Sequence, residues 1–234
     1  MADFLVPKNQ NLRLTRYDYR LTYAKTGRAR YISHLDMMRS MQRAFKRARI
    51  PIWYTQGFNP HAYLNFPLAL PLGTDSEIEV LDVALLEELE FDEIVSRINE
   101  KMPEGLWIVK ADKPMKKHTE IALARYDIAF DCVGVSADEV MQKFELFLQN
   151  EKIEVEKRSK KRGINLVDIK PHIDLKSIEA DDMVKLDIIL PAGGEFNLNT
   201  SVVMEAFCKY EGVEIGNIYT TRTKIMCKNG EDFI

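Results

Sequence analysis

The sequence predicts an α+β protein built from two tandem ferredoxin-like units, each with the element order β-α-β-β-α-β and an antiparallel sheet. Two observations support this fold class. Segments with a two-residue apolar period alternate with segments of helical period in that order, and the whole order then occurs a second time. The tripeptide Arg-Tyr-Asp also opens the first strand of each half, at residues 16–18 and 125–127.

The chain has 234 residues, of which 46% are hydrophobic, and is therefore long enough to bury two cores. A basic stretch that contains a proline, Asp112–His118, marks the boundary between the two halves. We expect an N-terminal extension at residues 1–16, a first unit at 17–112, a linker at 113–125 and a second unit at 126–234.

The first unit opens with a strand of alternating apolar and polar residues, and a helix follows. Ser33 suits the N-cap of this helix, and Asp36 stands where a capping box places its acid. The apolar stripe predicted for the helix is Leu35, Met38, Met41, Phe45 and Ala48. The expected elements are strands at Tyr17–Tyr23, Ile52–Gln56, Glu77–Ala84 and Leu106–Lys110, and helices at Ser33–Ala48 and Asp92–Lys101.

The second unit repeats this order. Ser136 and Glu139 form the corresponding capping box, and Gly212 ends the last helix. An extended segment at Gly163–Asp174 has no counterpart in the first unit. The expected elements are strands at Tyr126–Cys132, Ile153–Lys157, Met183–Leu190 and Ile218–Ile225, and helices at Ser136–Leu148 and Thr200–Tyr210.

The net charge of −3 conceals a strong segregation of charge along the chain. Residues 1–62 hold twelve Lys or Arg and three acids, whereas residues 63–112 hold three Lys or Arg and twelve acids. The near balance over the whole chain excludes a uniformly cationic nucleic-acid coat and a disordered acidic protein. The segregation indicates a basic face with a polyanionic partner.

Several classes of protein and of site are excluded by what the sequence lacks. The chain has no apolar run long enough to span a membrane and no apolar stretch typical of a signal peptide near its start, so we expect a cytoplasmic protein with no membrane partner. Cys132, Cys208 and Cys227 are too far apart for a metal knuckle or a redox pair. No phosphate-binding loop, dinucleotide fingerprint, zinc-protease helix or iron–sulfur motif is present, so we expect no cofactor and no metal.

Basic residues are concentrated around the first helix. Arg28 and Arg30, if extended, point to one side just before the helix N-terminus. No acid occurs between Met37 and Tyr63, so the pairs that neutralise an ordinary solvated helix are missing. We take Arg28, Arg30, Arg39, Arg43 and Arg47 as candidate RNA-binding residues.

A second constellation is the stretch Trp53–His61, in which turn-forming residues stand among aromatic and amide side chains. Such a loop could stack an unpaired base beside Tyr54 or Phe58 and read its edge; it could equally be a packed turn. The candidate RNA-binding residues here are Gln56, Asn59 and His61. His34 and His61 are also the candidate acid/base residues, although neither has a carboxylate companion at usable spacing.

A third basic cluster follows the second strand of the second unit. Lys160, Lys161 and Arg162 fall in the run Lys157–Gly163, which suits a loop that grips phosphates or a solvated hairpin tip.

The run from Tyr23 to Leu85 resembles a bacterial radical-SAM-associated domain of unknown function. Its pattern is carried by Lys25, Gly27, Arg30 and Ser33–Asp36, then by Thr55–His61, and last by the Pro67–Glu77 stretch. The resemblance is strong over residues 17–85 and rests on length and element order beyond them. It implies a helper role beside a cobalamin-binding radical SAM protein, which would supply the radical chemistry.

Three functions are compatible with these observations. The first is an accessory protein, not an enzyme by itself, that binds a structured RNA such as rRNA or tRNA for a radical SAM partner. The second is a stand-alone RNA-processing enzyme of the paired ferredoxin-like type that uses His34 or His61. The third is a protein–protein adaptor that docks a basic partner on the acidic segment 75–104 and binds no RNA.

Overall fold

The structure, a computed structural model, describes residues 15–159, 163–194 and 196–234. Within them the protein is a mixed α+β fold with four α-helices and mostly antiparallel strands. The helices are α1 (His34–Arg47), α2 (Phe91–Asn99), α3 (Ala137–Gln149) and α4 (Thr200–Glu211). The strands are β1 (Tyr17–Lys25), β2 (Leu64–Asn65), β3 (Thr74–Leu85), β4 (Leu106–Asp112), β5 (Ile121–Cys132), β6 (Glu154–Ser159), β7 (Gly163–Asp168), β8 (Asp174–Ala180), β9 (Val184–Pro191) and β10 (Ile215–Cys227).

The chain divides into two compact units. Unit 1 contains the described residues up to Ala69 together with Glu79–Met115, and unit 2 contains Leu70–Ile78 together with Lys116–Ile234. The first residues of β3 therefore belong to unit 2, whereas the sequence assigns the whole of 17–112 to the first unit. β5 also begins at Ile121, inside the expected linker, because its pairing with β10 extends to that residue.

In unit 1, β1 lies between β4 and β3, and β2 pairs with β3. Alternate residues of β1 (Tyr19, Leu21 and Tyr23) share one buried core with α1 and α2. The predicted N-cap is confirmed, since the Asp36 N–H donates to Ser33 Oγ (3.1 Å). The apolar stripe of α1 is shifted from the prediction: its buried residues are Met37, Met41, Ala44 and Phe45, and Leu35 is 54% exposed.

The prediction that Ile52–Gln56 forms a strand of the sheet is wrong, because this segment makes no continuous ladder. Isolated bridges join Ile52 to Leu85 and Tyr54 to Ala62, and the ladder with residues 82 and 83 of β3 is formed by β2 instead. The physical reason is that the chain reverses after Thr55, so this segment bonds to residues 61–63 and becomes one arm of a hairpin.

In unit 2, β5 lies between β10 and β9, and β8 flanks β9. Thr74–Ser76 at the start of β3 pair in parallel with β10. Phe130 of β5 packs against rings from both helices of this unit, with centroids 5.8 Å from Phe207 and 6.2 Å from Phe144. The predicted cap of α3 is confirmed by the Glu139 N–H, which donates to Ser136 Oγ.

An inserted hairpin separates α3 from β8. β6 and β7 form a two-stranded sheet of their own, so the prediction that Ile153–Lys157 is the second strand of the main sheet is wrong. That position is held by β8. Asp168 closes the base of the insertion, because its Oδ1 accepts from the N–H groups of Ile153 and Lys170 (both 3.0 Å), and these bonds lower its pKa.

No helix in the described ranges has the length and apolar character that a membrane span requires.

Candidate functional site

The outer face of α1 is a cationic surface. Arg39, Arg43, Lys46 and Arg47 are exposed, opposite the buried stripe of the same helix. Arg39 forms an ion pair with Asp36 (3.3 Å), whereas the other three have no ion pair within 4.0 Å among the described residues. Three of the four cations are thus available to an anionic partner.

Asp36 has a structural role at the start of α1. Its carboxylate accepts hydrogen bonds from Ser33 Oγ (2.8 Å) and from the Arg39 guanidinium, and these two interactions lower its pKa. The carboxylate is therefore held ionised close to Arg39, and we expect that arginine to contribute less to anion binding than Arg43 or Arg47 does.

Arg28 and Arg30 are not extended, so the condition under which they would point to one side is not met. Residues Gly27–Tyr31 form a turn of 3₁₀ helix, which Gly27 starts at φ 59°. Arg28 is exposed, and the guanidinium carbon of Arg30 lies 4.9 Å from the centroid of the Tyr31 ring. The buried Lys25 fixes the exit of this turn by donating to the Ile32 carbonyl (3.0 Å).

The second constellation forms a projecting hairpin of residues 53–63, called here the aromatic hairpin. Its arms are joined by Tyr63 N–H to Trp53 O (2.9 Å) and Thr55 N–H to His61 O (2.8 Å). At its tip Phe58 has an exposed fraction of 104%, and Tyr54 is 46% exposed. A phenyl ring wholly in water contributes nothing to folding, so the whole face of this ring is available for contact with a partner.

The bonds of His61 determine which ring nitrogen carries the proton. Nδ1 lies 3.1 Å from the Asn59 carbonyl and 3.0 Å from Thr55 Oγ1. Because a carbonyl can only accept, this geometry assigns the proton of the neutral imidazole to Nδ1. Nε2 is then a lone-pair acceptor with no bond to another described residue, and it can receive a hydrogen bond from a ligand.

His34 lies elsewhere and makes different contacts. It is the first residue of α1, and its ring packs edge-on against Phe66 with centroids 5.3 Å apart. Neither His34 nor His61 has a carboxylate among its contacts in the described structure. Over the same residues, no group of three or more His, Cys, Asp or Glu could hold a metal ion.

Comparison with known proteins gives one family. Residues 18–200 match the family described as "Uncharacterized protein conserved in bacteria (DUF2344)". The chain belongs to this family. No curated protein matches the chain in sequence. Both α1 and the aromatic hairpin of this DUF2344 protein fall inside the matched range.

The aromatic hairpin of this DUF2344 protein has an anchor that the sequence analysis missed. The guanidinium carbon of Arg16 lies 4.3 Å from the Tyr63 ring centroid and 5.1 Å from the Trp53 ring, and the two rings meet edge-on at 6.0 Å. Arg16 also bonds Asp18 (2.7 Å). The sequence gives no local signal for this cluster, because Arg16 is distant in the chain from both rings.

The structure does not bring all the predicted residues to one place. The 3₁₀ turn with Arg28 and Arg30 precedes the N-terminus of α1, whereas the aromatic hairpin follows its C-terminus, and a helix of this length spans about 21 Å. Arg43 and Arg47 lie in the half of α1 that leads into the hairpin. Lys160, Lys161 and Arg162 lie outside the described residues.

Proposed function

We propose that this protein binds a structured RNA, such as rRNA or tRNA, and presents it to a partner radical SAM enzyme. The observation that carries the RNA-binding part is the fully exposed ring of Phe58 on a hairpin that follows a helix with three exposed cations that have no ion pair among the described residues. Cations attract phosphates without regard to sequence, and an exposed ring stacks on an unpaired base.

The polar groups beside Phe58 suit the same partner. The Asn59 amide is exposed and can both donate and accept, and His61 Nε2 can accept. A base stacked on the ring would place its edge near such groups, as RNA recognition in single-stranded loops requires.

The adaptor alternative has less support from the acidic segment 75–104. Glu79 is fully buried, and Asp82 accepts a hydrogen bond from Arg20 Nε (2.7 Å). Two acids of this segment are therefore engaged inside the protein and are not available to a basic partner. The RNA-processing alternative lacks a carboxylate contact at either histidine.

We also propose that each unit is a ferredoxin-like β-α-β-β-α-β unit. Support comes from the strand orders β4-β1-β3-β2 in unit 1 and β10-β5-β9-β8 in unit 2. An equivalent ion pair joins the first and third strands of each: Arg20 to Asp82 and Arg125 to Asp187, both 62 residues apart and both with Nε–Oδ1 distances of 2.7 Å. Fold analogy of this kind is compatible with RNA binding and does not by itself require it.

The RNA-binding proposal is tested by the salt dependence of affinity. The triple variant Arg43→Gln, Lys46→Gln, Arg47→Gln should flatten the slope of log affinity against log salt by up to about 2 units on a single-stranded loop, at roughly 0.7 per lost phosphate contact. The measurement is fluorescence anisotropy with a labelled stem-loop RNA at several salt concentrations.

The matched control removes three exposed lysines of unit 2, Lys176, Lys185 and Lys209. It has the same change in charge and should leave the slope unaltered. If neither triple variant changes the slope, the cations of α1 make no phosphate contacts and the adaptor alternative is favoured.

The partner is tested separately. We expect purification from the native bacterium to recover a radical SAM protein, and bound RNA, together with this chain. Recovery of RNA alone would leave RNA binding in place and remove the accessory role.

A further inference from the structure

The C-terminus of α1 adopts a backbone conformation that its sequence makes costly. Ile50 N–H donates to Phe45 O (3.1 Å) and Arg49 N–H to Lys46 O (3.2 Å), which is the bonding of a Schellman motif with Arg49 as its left-handed residue (φ 54°). α4 ends in the same way but places Gly212 there (φ 63°). Across the described ranges, Arg49 is the only residue other than glycine with a positive φ.

An arginine in this conformation is unfavourable, since its Cβ crowds the following carbonyl. Side chains retained at such positions against the local preference are candidates for function. The side chain of Arg49 therefore needs an explanation, and its surroundings provide one.

Arg49 borders a cleft of about 410 Å³ between the C-terminal ends of α1 and α2, both in unit 1. Four cations and one carboxylate line it. The carboxylate, Glu100, already pairs with Lys101 (3.4 Å). The lining residues are Arg47, Ala48, Arg49, Arg97, Glu100 and Lys101.

Arg97 neutralises the carbonyl groups that would otherwise repel an anion from this cleft. The last carbonyls of a helix carry partial negative charge, which repels anions. Arg97 donates to the carbonyls of Ala48 (2.9 Å) and Arg49 (2.8 Å) and is itself held by Glu93 (2.6 Å). The carbonyls are thus satisfied by a fixed guanidinium, while Arg47 and Arg49 have no ion pair with any described residue.

We infer that this cleft binds a phosphate group, with Arg47, Arg49 and Lys101 as its ligands and Arg97 as a positioning residue. Guanidinium groups match phosphate oxygens in pairs, which suits two arginines at one opening. This inference rests on the proposed function for the source of the phosphate, an RNA strand whose base stacks on Phe58, nine residues further along the chain. The cleft itself can be tested without RNA.

The decisive variant is Arg49→Gly, for which stability and binding should change in opposite directions. Glycine relieves the left-handed backbone, so Tm should rise by about 2–4 °C. Loss of the guanidinium should weaken binding of pyrophosphate, the probe, roughly tenfold by isothermal titration calorimetry. Arg49→Lys keeps the charge and the strain but loses the paired donors, so it should show no rise in Tm and an affinity between those of the wild type and Arg49→Gly.

Each outcome supports or overturns a defined part of the inference. Equal pyrophosphate affinity in the wild type and Arg49→Gly overturns the site. Weakened pyrophosphate binding with unchanged stem-loop affinity overturns the RNA source and leaves a site for a free phosphate compound. If the wild type binds no RNA but its pyrophosphate affinity depends on Arg49, the proposed function is overturned and the phosphate site in the cleft is supported. Lys185→Gln in unit 2 is the control and should match the wild type in every arm.

Discussion

Some single-residue features of this protein could be predicted from neighbouring residues in the sequence, and others could not. Ser33 and Ser136 could be recognised as N-caps because a cap is a contact between residues three apart. The exposure of Phe58 could not be predicted, since a phenylalanine in a turn-rich stretch is buried or exposed according to what packs on it. The stacking of Arg16 on two rings was equally inaccessible, because it depends on tertiary contact.

Replacing Phe58 by alanine should weaken RNA binding without destabilising the fold. Stacking of a base on an aromatic side chain is worth about 1–3 kcal/mol, so affinity for a stem-loop should fall about 5- to 150-fold. Because the ring buries nothing in the free protein, Tm should stay unchanged. Anisotropy and thermal unfolding are the two measurements.

The control for Phe58 is Met115→Ala, which removes another apolar side chain, 90% exposed. It should leave RNA affinity unchanged. Equal losses in the two variants would mean that exposed apolar area in general, and not the hairpin ring, determines affinity.

The thiol of Cys132 should be unreactive in the native protein. Burial, and to a smaller extent its neighbours Cys208 and Asp131, raise its pKa to about 11. At pH 8 almost none of it is then thiolate, the form that reacts. Iodoacetamide labelling followed by peptide mass spectrometry should modify Cys132 only after urea is added. Rapid labelling in the native state would contradict this.

At the scale of elements, periodicity identified strands better than it identified their partners. The alternation at Ile153–Lys157 does correspond to a strand, β6, but that strand pairs with β7 in a separate sheet. The segment Ile52–Gln56 likewise lies in a hairpin that joins β3 only at its base, through the bridge of Ile52 to Leu85 and the hydrogen bond from Trp53 N–H to the Ala84 carbonyl (2.8 Å). Local pattern reports whether a segment is extended, and pairing depends on hydrogen bonds between segments far apart in the chain.

Two carboxyls of β5 should have opposite effects on the stability of unit 2. Asp127 lies directly across the ladder from Asp187, and its pKa is raised by burial and by that like charge. Asp131 accepts two bonds from Asn217 (both 2.8 Å), which lower its pKa. At pH 7, Asp127→Asn should therefore raise Tm and Asp131→Asn should lower it.

The effect of each substitution on stability at low pH follows from the linkage between proton binding and folding. A raised pKa in the folded state means that ionised Asp127 costs stability above that pKa, and a lowered one means that Asp131 contributes stability which is lost as the pH falls through it. Below the ordinary carboxyl pKa of about 3.9 the gain from Asp127→Asn should disappear, and the loss from Asp131→Asn should shrink. Thermal unfolding from pH 7 to pH 3 checks both; effects of the same sign would contradict the assignment.

At the scale of the whole molecule, the charge segregation along the chain located a cationic helix but did not show how the basic residues are distributed around it. The basic segment became a cationic α1 surface, a 3₁₀ turn before it and a hairpin after it. Composition counts charges, whereas the fold decides which of them are paired, as Arg39 is with Asp36. The element order could be predicted; the assignment of Leu70–Ile78 to unit 2 could not, because it depends on the pairing of β3 with β10.

The distinction between a binding protein and an enzyme is the last test at this scale. General acid/base catalysis requires a group placed to transfer a proton and typically contributes about 10²–10⁴-fold in rate. The Nδ1 of His61 is held by Thr55 and Asn59 within its own hairpin, and His34 packs on Phe66 at the start of α1. We therefore expect the isolated chain to leave a stem-loop RNA intact for hours, as judged on a denaturing gel.

His61→Ala should weaken RNA binding about 2- to 12-fold, the range of one hydrogen bond of 0.5–1.5 kcal/mol. His34→Ala should leave the affinity unchanged. Cleavage or modification of RNA by the isolated chain, abolished by either substitution, would instead establish the RNA-processing alternative.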